Sequence, residues 1–257
     1  MEATWIWSSI AFFLCLLASL EFGYWVGKRR HAAAKEEPSG ESNVLVGIAF
    51  SVPGLLMSFA FSMAVNRFEA RRHLVVDEAN AVGTAYLRVD LLPKASQPAI
   101  RKEILRFADA RLAYGQALSV GHDTAGARKE TTAAADNIWK LTMVAYESTP
   151  RESTITQLTP ALNEMFDISA TRQESAETRL PWPVFVLLAV TSLGASLLAG
   201  RALSVHSSRH WGHRIIYSAM LTFMVYVIMD IDDPRQGLIR IDEADRVMRD
   251  VRASMHP

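Results

Sequence analysis

The sequence predicts an all-α membrane protein with four transmembrane helices and a helical extramembrane segment between spans two and three. Three observations predict it. Half of the 257 residues are hydrophobic, and they concentrate in blocks at 4–27, 44–65, 182–200 and 215–229. Each block is long enough, or nearly so, to cross a hydrocarbon core of about 30 Å at about 1.5 Å per residue. The 66–180 stretch between the second and third blocks is polar and charged, with apolar residues recurring at threes and fours. The chain therefore divides into a first membrane pair (1–65), a helical extramembrane domain (66–180), a second membrane pair (181–229), and an acidic turn with an amphipathic tail (230–257).

Span one, 4–27, reads as a retained helix. A cleaved leader carries its positive charge before the apolar stretch, whereas here Lys28, Arg29 and Arg30 follow it. Trp5, Trp7, Tyr24 and Trp25 lie at its two ends like an aromatic belt. The single cysteine, Cys15, lies inside this block and has no partner in the chain for a disulfide. Span two, 44–65, contains Pro53-Gly54, a pair that often marks a kink. A helix continuing from it to about Leu92 places Phe68, Val75, Ala79, Val82, Tyr86 and Val89 on one face, and Pro93 ends it. A second helix starts near Pro98, buries Ile100, Ile104, Leu105, Ala108 and Leu112, and breaks at Gly121-His122-Asp123.

A third helix covers about 124–147, with Ile138, Leu141 and Ala145 on one side. Thr149-Pro150-Arg151-Glu152 reads as a capping box opening a fourth, which buries Ile155, Leu158, Leu162, Met165 and Phe166 and kinks at Pro160. Span three, 182–200, follows Leu180-Pro181-Trp182-Pro183, whose prolines suit a helix start. Span four, 215–229, is short for a bilayer and needs Trp211–Arg214 as an interfacial turn, or local thinning. Leu238–Ile241 reads as a short extended piece. From Asp242 the tail reads as an amphipathic helix with Val247 and Val251 on one face.

Orientation follows from the short loops. Lys28, Arg29, Arg30 and Lys35 in 28–43, and Arg201, Arg209 and Arg214 in 201–214, place both loops in the cytoplasm and the middle domain opposite. Arg67, Arg71 and Arg72 after span two favour the reverse, but long segments translocate largely regardless of charge.

Net charge is zero, so nothing points to nucleic acid. Walker, GxSxG, HExxH and CxxC motifs are absent, and nothing points to an enzyme or a resident cofactor. Four clusters stand out. Asn66, Arg67, Glu69, Arg71 and Arg72 follow span two and suit either an ion vestibule or interfacial anchoring. Asp77-Glu78, with Arg88 and Asp90, reads as solvated charge on the same long helix. Asp230, Asp232 and Asp233 at the end of span four suit salt bridges to arginines of that helix or, less well, a calcium ion, because no EF-hand pattern is present. His206, His210 and His213 share a helical spacing, but the positive charge of their loop disfavours a metal.

Two of these stretches carry a resemblance. Asn66-Arg67-Phe68-Glu69-Ala70-Arg71-Arg72, Asp77 through Arg88, Leu91-Leu92-Pro93 and the closing Asp232-Asp233-Pro234-Arg235-Gln236-Gly237 are similar to the signatures of the bestrophin-like family of bacterial membrane proteins. That family is distantly similar to bestrophins, pentameric anion channels in which the second span lines the pore. The resemblance implies a homo-oligomer acting on inorganic ions in the inner membrane. It also implies that Leu55, Phe59 and Met63, four residues apart on span two, form an apolar constriction of the kind that gates by dewetting. In animal bestrophins an acidic cluster after the fourth span helps bind calcium, and Asp230–Asp233 matches it by position. The expected function is thus an ion channel. The alternative is a non-conducting sensory or scaffold protein whose helical middle domain binds a ligand or partner.

Overall fold

The computed structural model describes residues 2–34, 40–148, 150, 152, 154–204, 211–233, 238–239, 241 and 245–256. Among them the regular structure is entirely helical: α1 (Glu2–Ala34), α2 (Gly40–Arg88), α3 (Gln97–Ser119), α4 (Ala125–Ser148), α5 (Thr159–Glu177), α6 (Trp182–Leu203), α7 (Trp211–Asp232) and α8 (Asp245–Ser254). Among the described residues, four helices are long and apolar enough to cross a membrane. Two compact units form, one from Met1–Asn66 with Leu180–Asp232, the other from Arg67–Arg179 with Asp233–Pro257.

In the first unit, the membrane unit, α1 packs along α6 at backbone contact. A Cβ added to Gly23 would lie 2.0 Å from the Leu197 carbonyl oxygen, and one on Gly200 would lie 1.9 Å from that of Leu20. Small residues permit this approach, and in lipid dispersion between closely packed helices replaces the hydrophobic drive available in water. Ser19 Oγ donates to the Leu193 carbonyl at 2.8 Å across the same seam. Glu21 of α1 pairs with the buried Arg214 of α7. Span four is longer than its apolar core suggested. Helix α7 has 22 residues, about 33 Å at the helical rise, because Trp211–Arg214 and Asp230–Asp232 continue the helix at each end. Helix α2 runs on through Pro53 without a break.

The second unit is a helical bundle around one apolar core. Ala79, Val82 and Tyr86 of α2, with Val89 in the 3-10 turn that follows it, meet Ile100, Ile104 and Phe107 of α3, Ile138 of α4, Leu162 and Met165 of α5, and Met248 of α8. Burial of each large aliphatic side chain contributes about 1.5–3 kcal/mol in water. Gly121, with φ of 68°, closes α3, a left-handed turn that glycine adopts without strain. Pro160 does not kink a running helix as the sequence suggested. It sits in the first turn of α5, where a missing N–H costs nothing, and the turn before it, Thr154–Leu158, takes the wider π spacing. Thr149 and Arg151 of the expected capping box lie outside the described residues. Leu238 and Ile239 form a bend, not an extended strand.

The α1–α6 seam makes a direct prediction. Gly200→Ala forces the two backbones apart and lowers the thermal midpoint of the purified protein in detergent by several degrees. Gly194→Ala, whose added Cβ meets only open space, leaves it unchanged or slightly higher.

Candidate functional site

Within its membrane stretch α2 has two unlike sides. Met57, Ala60 and Ala64 are 0–3% exposed and face the rest of the unit. Leu55, Phe59 and Met63, picked out on the sequence, are instead uncovered by their own chain, at 59%, 61% and 46% exposure. Helical geometry puts Leu55, Ser58, Phe59 and Ser62 on the side away from Met57, Ala60 and Ala64, with Met63 on its flank. Ser51, Ser58 and Ser62 are exposed as well. The hydroxyls of Ser51 and Ser58 donate to the carbonyls of Ile48 (2.8 Å) and Gly54 (2.9 Å).

Past Asn66 the helix becomes charged, and two arginines turn to one partner. Arg67 Nη2 donates to the Thr178 carbonyl at 2.6 Å, and Arg71 donates to Ser175 at 3.1 Å through Nε and to Thr178 at 2.5 Å through Nη2. Those carbonyls close the C-terminus of α5, where the helix dipole is negative and cationic side chains are favoured. A cleft of about 290 Å³ lies between these arginines and Thr171, Glu174 and Ser175. Arg72 and Glu69 form an exposed pair at 3.5 Å. Asn66 is exposed.

Glu78 is the residue that sequence reasoning placed wrongly. It is fully buried, not solvated. One carboxylate oxygen accepts from Arg111 Nε and the other from Arg172 Nη1. Arg172 continues to Asp245, at 3.1 Å, on the first turn of α8, and Arg111 lies over the Tyr114 ring at 4.7 Å. Two acids and two arginines thus join α2, α3, α5 and α8 with no net charge. Burial pushes the Tyr114 phenol above its usual range, against the opposing pull of Arg111 and Arg172. The signal was present in the sequence. Glu78 stands three residues after Val75 and four before Val82, on the apolar stripe itself. Asp77 beside it is exposed, Arg88 donates to the Gln157 carbonyl at 2.8 Å, and Asp90 pairs with Arg101.

The acidic end of α7 is buried too, with Asp230, Asp232 and Asp233 at 2–7% exposure. Asp232 Oδ2 accepts the Leu180 N–H at 2.8 Å, just before α6 begins. In the second unit, Arg179 Nη1 stands 2.6 Å from Asp233 Oδ2. One oxygen of Asp232 is thus engaged by a backbone amide and one of Asp233 by a guanidinium. Among the described residues, no three His, Cys, Asp or Glu side chains are placed to hold a metal ion. His206 and His210 lie outside the described residues, and His213 is exposed on the first turn of α7.

Residues 13–245 match the profile of the bestrophin-like domain. No curated protein matches the sequence. Among solved structures, the chain is similar to a bacterial bestrophin homologue from Klebsiella pneumoniae. One single-residue variant of that protein superposes with a TM-score of 0.67 at 14% identity, over 96% of this chain and 100% of that one. The form phased on zinc gives 0.64 at 15% identity, over 98% and 99%. A second variant gives 0.68 at 14% identity, over 96% and 97%. At these identities the likeness shows a shared fold.

The buried network predicts an asymmetric response at adjacent positions. Glu78→Gln leaves Arg111 without a carboxylate partner and Arg172 with Asp245 alone, and costs about 3–5 kcal/mol in unfolding of the helical bundle. Asp77→Asn, on the exposed side, leaves stability unchanged. Denaturant unfolding of the two variants in detergent measures the difference.

Proposed function

Because the chain belongs to the bestrophin-like family, we propose that it is a homo-oligomeric ion channel whose second span, 44–65, lines the pore. The observation that carries this reading is the uncovered side of α2. A helix facing lipid alone has no use for Ser51, Ser58 and Ser62 beside its apolar residues, whereas a helix facing water-filled space does. Leu55 and Phe59, between those serines, and Met63 on the flank supply the apolar constriction, which closes by dewetting. Four spanning helices rarely enclose a pore alone. Copies of the chain, five by family resemblance, therefore turn this side of α2 towards a common axis. Arg67 and Arg71 are engaged as caps of α5, so Asn66, Glu69 and Arg72 are the polar residues after the span that remain for passing ions. The short loops 28–43 and 201–214 face the cytoplasm of the bacterial inner membrane, and residues 66–180 face the other side.

Reconstitution into planar bilayers tests the proposal. The purified protein passes current, and Phe59→Ala raises unitary conductance severalfold by removing a ring from the narrowest, driest part of the path. Phe22→Ala, an exposed aromatic on α1, leaves conductance as it was. Currents indifferent to substitution at both Leu55 and Phe59 would overturn the pore assignment.

A further inference from the structure

A cavity of about 270 Å³ opens at one end of the membrane unit, and its walls are mostly apolar: Leu20 of α1, Phe50 of α2, Ala199, Ala202 and Leu203 of α6, and Tyr217 of α7, with His213 at its edge. Arg214 borders it but is already spoken for. It is 3% exposed, ion-paired with Glu21, and lies 4.5 Å from the Tyr24 ring and 5.7 Å from that of Trp211. Water is held in a cavity by two to four polar partners, and these walls supply few. Between spanning helices the medium at hand is hydrocarbon, so an acyl chain is the natural occupant.

What surrounds the cavity points to the rest of the ligand. Trp25 and Trp211, each about half exposed, mark the depth of the headgroup layer. At that depth α1 ends in the exposed cations Lys28, Arg29 and Arg30, and α6 ends with Arg201, also exposed. Two of these are carried on helix turns that touch. A Cβ on Gly27 would lie 2.9 Å from the Arg201 carbonyl and 2.2 Å from Ser204 Oγ, so the turn of α1 that carries Lys28 packs against the last turn of α6. Arg29 is stacked 3.4 Å over Trp25, and Arg214 is paired with Glu21. Among the described residues, Lys28 and Arg201 are exposed cations on the two helix turns that meet at Gly27, next to the Ala202 and Leu203 wall of the cavity. Basic residues above a gap between spanning helices recognise anionic lipid headgroups.

We propose that this end of the membrane unit binds one anionic phospholipid, with an acyl chain in the cavity and the phosphate against Lys28 and Arg201. Neither the channel reading nor the family resemblance is needed for it.

Native mass spectrometry of the full-length protein in mild detergent, with phosphatidylglycerol, phosphatidylcholine or inorganic phosphate added, is the test. Phosphatidylglycerol is expected to be retained about tenfold better than phosphatidylcholine, and inorganic phosphate not to displace it. Lys28→Gln combined with Arg201→Gln brings the two lipids to parity. Ala202→Phe fills the cavity and releases both, and Ala202→Met does the same with a more pliable side chain should the ring disturb folding. Equal retention of the two lipids by the unaltered protein would overturn the proposal. So would phosphatidylglycerol retention untouched by both cavity-filling variants, or displacement of the lipid by free phosphate.

Discussion

Hydrocarbon offers a peptide group no hydrogen bond, and the membrane unit is arranged around that fact. Each crossing is a helix whose backbone satisfies itself, and the small polar side chains within the crossings follow the same economy. Ser196 returns its hydroxyl proton to the carbonyl four residues back, and Ser19 gives its proton to a carbonyl of the neighbouring helix. The same medium removes the hydrophobic drive between helices, so close approach has to replace it. That is why Gly23 and Gly200 sit where any side chain would strike the opposite backbone. Arg214 enters this environment with Glu21 and two aromatic rings beside it.

The bundle formed by Arg67–Arg179 and the chain after Asp232 obeys aqueous rules instead. Its apolar stripes at threes and fours converge on one core, and a four-residue charge network lies within that core. Such a network is weak evidence of net stability, because four ions lose their water when it forms. Its effect is one of selection. Glu78 accepts two guanidinium groups from different helices only when α3 and α5 are in register with α2, and Asp245 adds the same requirement for α8. Around it, α8 is fastened by neutral packing at Met248 and Met255 and by the pairing of Arg252 with Asp109, which raises the basicity of that guanidinium. A pattern of this kind favours one packing over others of similar apolar burial.

Much of this is legible in the linear sequence, and the parts that are not have a common cause. Apolar run length is a one-dimensional property, so the four crossings and the middle helices can be read directly. So can Leu55, Phe59 and Met63 as one edge of a helix, because i and i+4 fix a face without reference to any neighbour. The extent of span four was less readable, since Asp230 and Asp232 look like its end. They remain helical because their side chains are buried, with Asp232 held by the Leu180 N–H, an arrangement that depends on a chain segment about fifty residues away. The charge of Arg67 and Arg71 is plain in the sequence, but their hydrogen bonds go to the carbonyls of a helix more than a hundred residues on, which no local pattern announces.

From the sequence alone, the bilayer-crossing pattern, the helical character of the middle segment and the bestrophin-like signatures were determined, because periodicity and run length need no partner to be meaningful. Tertiary structure alone decided which charges were solvent-facing and which were structural. Glu78 and Asp77 are adjacent acids of nearly the same chemistry. One is fully buried between two arginines and the other lies open to water, because a helix rotates neighbouring side chains by about 100° and only the packed bundle says which direction is inside.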